Sequence, residues 1–288
     1  MDLSVVILIE VLYAIASLAL ISAGLAVVFG MMKVINLAHG EFMVLGGYAT
    51  ITAVGLGVNI FIAMLIVAPI VVGLFGLVVE RLVFRHLYGR MIDTMLASWG
   101  LSLMMIGGFK MIFGNTTTGV AGPIPGFSVG NYQVNGYNLF VIVVSVLLLV
   151  ARVAVLRGTR FGLVARGTMQ RSDMAAAMGH SPDRVYMTTF ALGSALAGLA
   201  GGVMAPLVGL VPTAGAAFIA KAFITVIAGG PVLVAGLASA AGTFGLVNQV
   251  FSFLVSPVVG DVALLVAAVV LLRLIPRGIT SRFFRGRI

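Results

Sequence analysis

Apolar runs long enough to cross a hydrocarbon core of about 30 Å recur along the whole of this chain, with no soluble-sized stretch between them. Of 288 residues, 61% are hydrophobic and 9% charged. An ordinary soluble domain carries roughly 25% charged residues, so too few polar side chains remain here to coat a water-facing surface. The expected fold is all-α: a polytopic bundle of eight or nine transmembrane helices with Gly-interrupted or re-entrant segments, forming a single membrane domain over residues 1–288. A soluble enzyme is excluded.

Spans are expected near Val5 to Val28, Val34 to Val58, Ile60 to Glu80, Thr94 to Phe113, Leu139 to Leu156, Val185 to Val208, Phe218 to Val232, Leu233 to Leu254 and Val262 to Leu274. The first lacks a basic n-region and is too long for a signal-peptide core, so it reads as a retained helix. The net charge of +9 comes mostly from three arginine clusters: Arg81, Arg85 and Arg90; Arg157, Arg160, Arg166, Arg171 and Arg184; and Arg273, Arg277, Arg282, Arg285 and Arg287. Basic loops stay cytoplasmic. That rule puts the clusters inside and the uncharged Gly114 to Asn138 loop outside, with an external N-terminus and a cytoplasmic C-terminus. A basic balance of this kind reports orientation rather than nucleic acid, and no nucleic-acid partner is expected.

Two stretches break the pattern of a simple span. From Met31 to Tyr48, Lys33, Asn36, His39 and Glu41 lie among apolar residues, with Gly40, Gly46 and Gly47 as interruptions. An ionisable group at mid-bilayer costs about 2.5 kcal/mol or more on insertion scales, so Glu41 faces protein or water, or else these groups cap and snorkel at the cytoplasmic interface. The second stretch, Pro212 to Gly230, contains Gly215, Lys221, Gly229 and Gly230 before Pro231. Paired broken segments mark a substrate path in transporters. The candidate path residues are Asn36, His39, Glu41, Gly46, Gly47 and Tyr48 from the first stretch, with Phe223 and Thr225 from the second. Small residues also recur at spacings near four around Gly193, Gly198, Gly201, Gly202, Gly236 and Gly242. Such faces pack helices closely, within the chain or at a seam between subunits.

The polar connection 157–184 holds a compact element, Ser172-Asp173-Met174-Ala175-Ala176-Ala177-Met178-Gly179. Ser172 or Asp173 is a candidate N-cap, and Gly179 suits the C′ position. Ser181-Pro182-Asp183 then opens the next span with an N-cap, proline at N1 and an acid in the first turn. The expected product is a short surface helix held at the entrance of a transmembrane helix, with Met174, Ala175 and Met178 as a face for a partner's groove. On residue chemistry alone, an amphipathic linker fits equally well.

Asn36-Leu-Ala-His-Gly-Glu-Phe-Met43, Asp173-Met-Ala-Ala-Ala-Met-Gly179 and Thr189-Phe-Ala-Leu-Gly-Ser-Ala-Leu-Ala-Gly-Leu-Ala-Gly201 together resemble the LivH-type permeases of ABC importers for branched-chain amino acids, amides and urea. The resemblance covers nearly the whole chain. It implies a permease subunit of the bacterial inner membrane that pairs with a second, LivM-like permease, two cytoplasmic ATPases and a periplasmic substrate-binding protein. It also implies that Asp173, Met174, Ala175, Ala176, Ala177, Met178 and Gly179 form the coupling helix seated on an ATPase. Where many relatives read Gly-Gly-x-Gly, this chain has Gly229-Gly230-Pro231; Leu274 to Gly278 and Val247 to Gln249 lean toward the urea or amide branch.

What the sequence lacks narrows the alternatives. None of Lys33, Lys110 and Lys221 is followed by Ser or Thr, so there is no P-loop, and ATP with its magnesium belongs on the partner ATPases. The chain has no cysteine, and its three histidines, His39, His86 and His180, show no metal-ligand spacing. No catalytic residue, cofactor or metal is expected on this chain. A secondary transporter or a passive urea or amide channel is the alternative, and it would leave Asp173 to Gly179 without a role.

Overall fold

The computed structural model describes residues 2–230 and 233–283. Pro231, Val232, Arg285 and Arg287 lie outside the described residues. The helices are α1 (Asp2–Met32), α2 (His39–Gly55), α3 (Ile60–Ile62), α4 (Ala68–Leu82), α5 (Met91–Phe113), α6 (Gly136–Gly158), α7 (Arg160–Gln170), α8 (Ser172–Ala177), α9 (Pro182–Met204), α10 (Gly215–Gly229), α11 (Leu233–Leu254), α12 (Pro257–Leu274) and α13 (Ile279–Phe283). A helix lies under each of the expected spans. Among the described residues, seven helices are long and apolar enough to cross a membrane, while α2 and α10, of 17 and 15 residues, are short.

Local chemistry explains several boundaries. α12 starts where Ser256 Oγ accepts the Val259 N–H at 3.4 Å and Pro257 occupies the first turn, where no N–H is needed. α3, a π turn over Ala63–Val67 and α4 run together as one helix over Ile60–Leu82. The π turn lies just before Pro69, whose ring would press on the Leu65 carbonyl of a regular helix; the wider turn relieves that clash. In the polar loop after α5, the strands β1 (Phe127–Val129) and β2 (Tyr132–Val134) pair antiparallel. Gly130, at φ 60°, supplies the positive φ that a two-residue hairpin turn requires.

By contacts the chain divides into two compact units, one made of Ala23–Ala121 and Ala151–Ala220, the other of Met1–Ser22, Gly122–Val150 and Lys221–Ile288. α1, α6 and α10 contribute residues to both.

The larger unit, Ala23–Ala121 with Ala151–Ala220, is built around α9. Its glycine face meets α1 through Gly24 and Val28, α2 through Met43 and Gly46, and α4 through Ala68 and Val72. Inside a bilayer, close backbone approach supplies the attraction that hydrophobicity cannot, because lipid tails are as apolar as leucine. The small residues Gly193, Gly198, Gly201 and Gly202 are thus tertiary packing within this chain. Aromatic rings close the same unit: Phe42 meets Phe75 edge-on at 5.4 Å and Phe190 at 6.2 Å, and Phe84 lies 4.8 Å from Phe190. Each such pair contributes roughly 0.5–1.5 kcal/mol beyond area burial.

The smaller unit has its own core, in which Leu18 and Ala19 of α1 pack with Ala240, Ala241 and Phe244 of α11 and Leu264 and Ala268 of α12. Two polar ties fix α6 to α1: Asn138 Nδ2 donates to Glu10 Oε1 at 3.0 Å, and Ser145 Oγ donates to the Ala16 carbonyl at 2.9 Å. Gly236 of α11 packs directly on Gly229, whereas a β-carbon at Gly242 would meet open space.

Candidate functional site

The first broken segment lies between the end of α1 and the start of α2. Lys33 closes α1 at φ 54°, the only positive φ of a non-glycine residue among those described. The chain then turns back, so that α2 begins with His39 beside Gly24, eight residues or about 12 Å short of the end of α1. Asn36 holds that turn: its Oδ1 accepts the Ala38 N–H at 3.0 Å, while the Leu37 N–H is taken by Ser98 Oγ at 3.0 Å. The helix therefore starts five residues later than Val34, the expected position, because the backbone donors of this turn are satisfied by side chains.

The second broken segment descends from α9. Leu210 exchanges both backbone hydrogen bonds with Thr118, at 2.9 and 2.8 Å, and its side chain covers Gly47. Five residues on, Gly215 opens α10 against Gly40 and Glu41; a β-carbon there would lie 2.6 Å from Glu41 Oε1 and 2.9 Å from the Glu41 amide. Two short helices thus bring their N-termini together at one carboxylate. Both helices present their positive dipole ends to this side chain. Glu41 is 2% exposed; Ser102 hydrogen-bonds it, and its Oε2 has no hydrogen-bond partner among the described residues.

Asn36, His39 and Glu41 are therefore gathered with Gly215 at this junction, all nearly fully buried. Gly46 backs onto Gly198, and Tyr48 stacks on Phe113 with centroids 4.0 Å apart and rings 5° from parallel. Phe223 and Thr225 belong to the other compact unit; Thr225 is buried and its hydroxyl donates to the Lys221 carbonyl at 2.7 Å.

The connection 157–184 carries two helices. α7 is amphipathic and starts at Thr159, whose Oγ1 accepts the Gly162 N–H at 3.0 Å. α8 follows, with Arg171 rather than Ser172 or Asp173 at its N-cap; Ser172 and Asp173 are already inside the first turn. Its C-terminus is a complete Schellman motif: Gly179, at φ 85°, donates its N–H to the Ala176 carbonyl at 2.9 Å, and the His180 N–H reaches Ala175 at 3.0 Å. Ala175 is only 8% exposed, because it faces back into the protein. The free apolar face consists instead of Met174, Ala177 and Met178, spaced for one side of a helix. A cavity of about 300 Å³, lined among others by Lys33, Thr168, Arg171 and Asp173, lies beside the root of α8.

α9 starts immediately afterwards, with Ser181 in extended conformation at the N-cap, Pro182 in the first turn and Asp183 following. The Ser181 side chain makes no capping hydrogen bond. Near this end, Tyr88 donates to the buried Glu80 of α4, and its ring lies 5.0 Å from Tyr186 of α9. Burial, and next the Glu80 carboxylate, hold the Tyr88 phenol well above its ordinary value, so it stays protonated and a donor. Removing the hydroxyl in Tyr88→Phe leaves Glu80 buried without it and is expected to cost about 1–3 kcal/mol, read as a lower melting temperature of the purified protein.

Seven helices long and apolar enough to cross a membrane, with two shorter apolar helices that start at breaks in the chain, define a polytopic membrane protein. The chain belongs to the family described as branched-chain amino acid transport system / permease component, whose model matches residues 7–275. It is similar to the LivH permease protein of the high-affinity branched-chain amino acid transport system of Salmonella typhimurium, 25% identical over 280 residues, which cover 92% of this chain and 91% of that protein. The probable branched-chain amino acid transport permease LivH of Methanocaldococcus jannaschii is 25% identical over 282 residues, covering 92% of this chain and 88% of its own. The BraD permease of Pseudomonas aeruginosa is 26% identical over 229 residues, 74% of each chain. No solved structure matches.

Two features differ from the elements expected from the sequence. The amphipathic helix α7 is not among those elements, although Thr159 is a regular N-cap signal. Asp261, placed just outside the last span, lies inside α12, and the Ser256-Pro257 pair was the signal that would have moved that span's start.

Proposed function

We propose that this chain is one permease subunit of an ATP-driven importer of branched-chain amino acids in the bacterial inner membrane. It would work with a second, LivM-like permease, two cytoplasmic ATPases that carry the ATP and magnesium, and a periplasmic binding protein. The N-terminus would be external and the C-terminus cytoplasmic. The observation that supports this best is α8: a six-residue helix closed by a Schellman motif, presenting methionines to the outside and leading within a few residues into α9. A connector needs no such rigidity, whereas a transmission element does. The glycine face of α9 would pass a movement of α8 to α1, α2 and α4, and so shift the junction at Glu41 between two states. The relatives' names support amino acids over urea or amides as cargo.

In liposomes, the complete complex is expected to take up leucine when ATP and loaded binding protein are supplied, and this chain alone neither to hydrolyse ATP nor to concentrate leucine. Uptake by the single subunit would point to a secondary transporter; ATP-independent equilibration of urea would point to a channel.

The proposed path includes Asn36, His39, Glu41, Gly46, Gly47, Tyr48, Phe223 and Thr225. In this naturally cysteine-free chain, single cysteines at Tyr48, Phe223 and Thr225 are expected to react with a water-soluble thiol reagent while the complex turns over ATP. Reaction in the resting complex should be slower, since Tyr48 and Thr225 are enclosed in the present conformation. Inertness at all three would assign these positions to packing.

A further inference from the structure

The smaller unit contains an ion pair between two of its apolar helices. Lys221 Nζ of α10 lies 2.9 Å from Asp261 Oδ2 and 2.8 Å from Oδ1 of α12. Asn248 of α11 donates from Nδ2 to Oδ1 at 2.9 Å. Lys221 lies midway along α10, six residues after Gly215 and eight before Gly229, and Asp261 lies in the second turn of α12, four residues, roughly 6 Å, after Pro257. Charged groups within apolar helices occur where they pair or face water, and they mark substrate paths by default. The side chains of Lys221 and Asp261 are 31% and 48% exposed, so the pair is reachable from outside the unit's core.

We propose that Lys221 and Asp261, steadied by Asn248, form a subsite on the translocation path that takes an α-amino acid as its zwitterion. Lys221 meets the substrate carboxylate and Asp261 the substrate ammonium. The assignment rests on the importer reading and specifies how that importer accepts its cargo in the membrane.

The electrostatics favour this cargo over a neutral one. Opening an ion pair in a low-dielectric span leaves two charges without partners unless the incoming molecule supplies one of each sign. A zwitterion does so with no change in net charge; urea or a simple amide supplies none. The two sides of the pair are unequal in a useful way. Asp261 is short and pinned by Asn248, whereas Lys221 carries its charge on a flexible four-carbon stem and can swing to admit the ligand. Val258 and Leu265, one turn to either side of Asp261 on the same face, are exposed and apolar, as a branched aliphatic side chain requires.

The test uses the assembled complex in proteoliposomes. Val258→Cys and Val262→Cys, made singly, are expected to react with a water-soluble methanethiosulfonate, and excess leucine, but neither urea nor 4-methylvalerate, is expected to slow the reaction severalfold. Lys221→Met and Asp261→Asn are each expected to lower leucine uptake by about 30-fold or more, while the ATPases still co-purify and hydrolyse ATP on adding loaded binding protein. Unreactive cysteines would mean a face covered by lipid or by the second permease, and would overturn the proposal. So would labelling that leucine leaves unchanged, or near-normal uptake in both charge variants. The unmodified complex, measured alongside, reports on the importer reading separately: if it fails to take up leucine, that reading falls, whereas losses confined to the variants bear on the subsite alone.

Discussion

Replacing Gly201 with leucine is expected to prevent this subunit from folding to a monodisperse species in detergent. A β-carbon at Gly201 would fall on the carbonyl oxygen of Met43 in α2, and the backbone there has no freedom to rotate away as a side-chain tip would. The neighbouring contacts are equally close: a β-carbon at Gly198 would lie 2.6 Å from the Ala68 carbonyl oxygen of α4. Relieving one contact by moving α9 therefore tightens another. Overpacking typically costs about 1–3 kcal/mol and more where backbone must shift, against a total stability of roughly 5–15 kcal/mol. Gly100→Leu in α5 and Gly242→Leu in α11 point into open space and are expected to change stability by no more than about 0.5 kcal/mol. Melting of the purified subunit followed by size-exclusion chromatography separates the two groups. A Gly201→Leu protein as stable as the Gly100→Leu protein would show that the helices do not approach as described.

This contrast also shows what the sequence could and could not disclose. Gly201 and Gly242 look alike as letters, each in a run of small residues, yet one is seated on another backbone and the other faces nothing. Spacing near four identifies a smooth face; only the partner helix decides what covers it. The spans themselves were legible because hydrocarbon thickness and backbone hydrogen bonding leave few choices. Gly179 was legible for a similar reason, since a C′ position needs a positive φ that glycine reaches freely. The start of α2 was not, because the donors of its first turn are satisfied by Ser98, 61 residues away from Leu37. Nor was the meeting of Glu41 with Gly215, or of Lys221 with Asp261, both of which join residues far apart in the chain. Ionisable residues in apolar runs announce that partners exist; the fold supplies their identity.

Changing Gly179 is expected to separate transport from assembly of the membrane domain. At φ 85°, valine meets a clash between its branched β-carbon and the following carbonyl, about 1–2 kcal/mol for an ordinary L-residue and more for a β-branched one. The cheapest relief is local: the Ala176 and Ala175 carbonyls lose their Schellman donors, and α8 frays or swings away from the start of α9. Asparagine tolerates this conformation, so Gly179→Asn should retain most uptake where Gly179→Val loses it. Ala177→Asp attacks the same element from the outside. Ala177 is exposed on the same side of α8 as Met174 and Met178, so aspartate there disturbs no packing within the subunit, but an unpaired charge carried into an apolar groove of an ATPase costs several kcal/mol and weakens docking by about 30-fold or more. Both variants should insert and melt like the unmodified subunit, because α8 lies outside the spans and a β-carbon at Gly179 meets no neighbour. The measurements are co-purification of the ATPases, ATP hydrolysis and leucine uptake by the reconstituted complex. Full uptake with normal association in Gly179→Val and Ala177→Asp alike would remove α8 from the coupling pathway and leave the connection 157–184 as a linker. Loss of uptake in Gly179→Asn to the same extent as in Gly179→Val would show that the side chain itself, rather than the left-handed backbone, matters at this position.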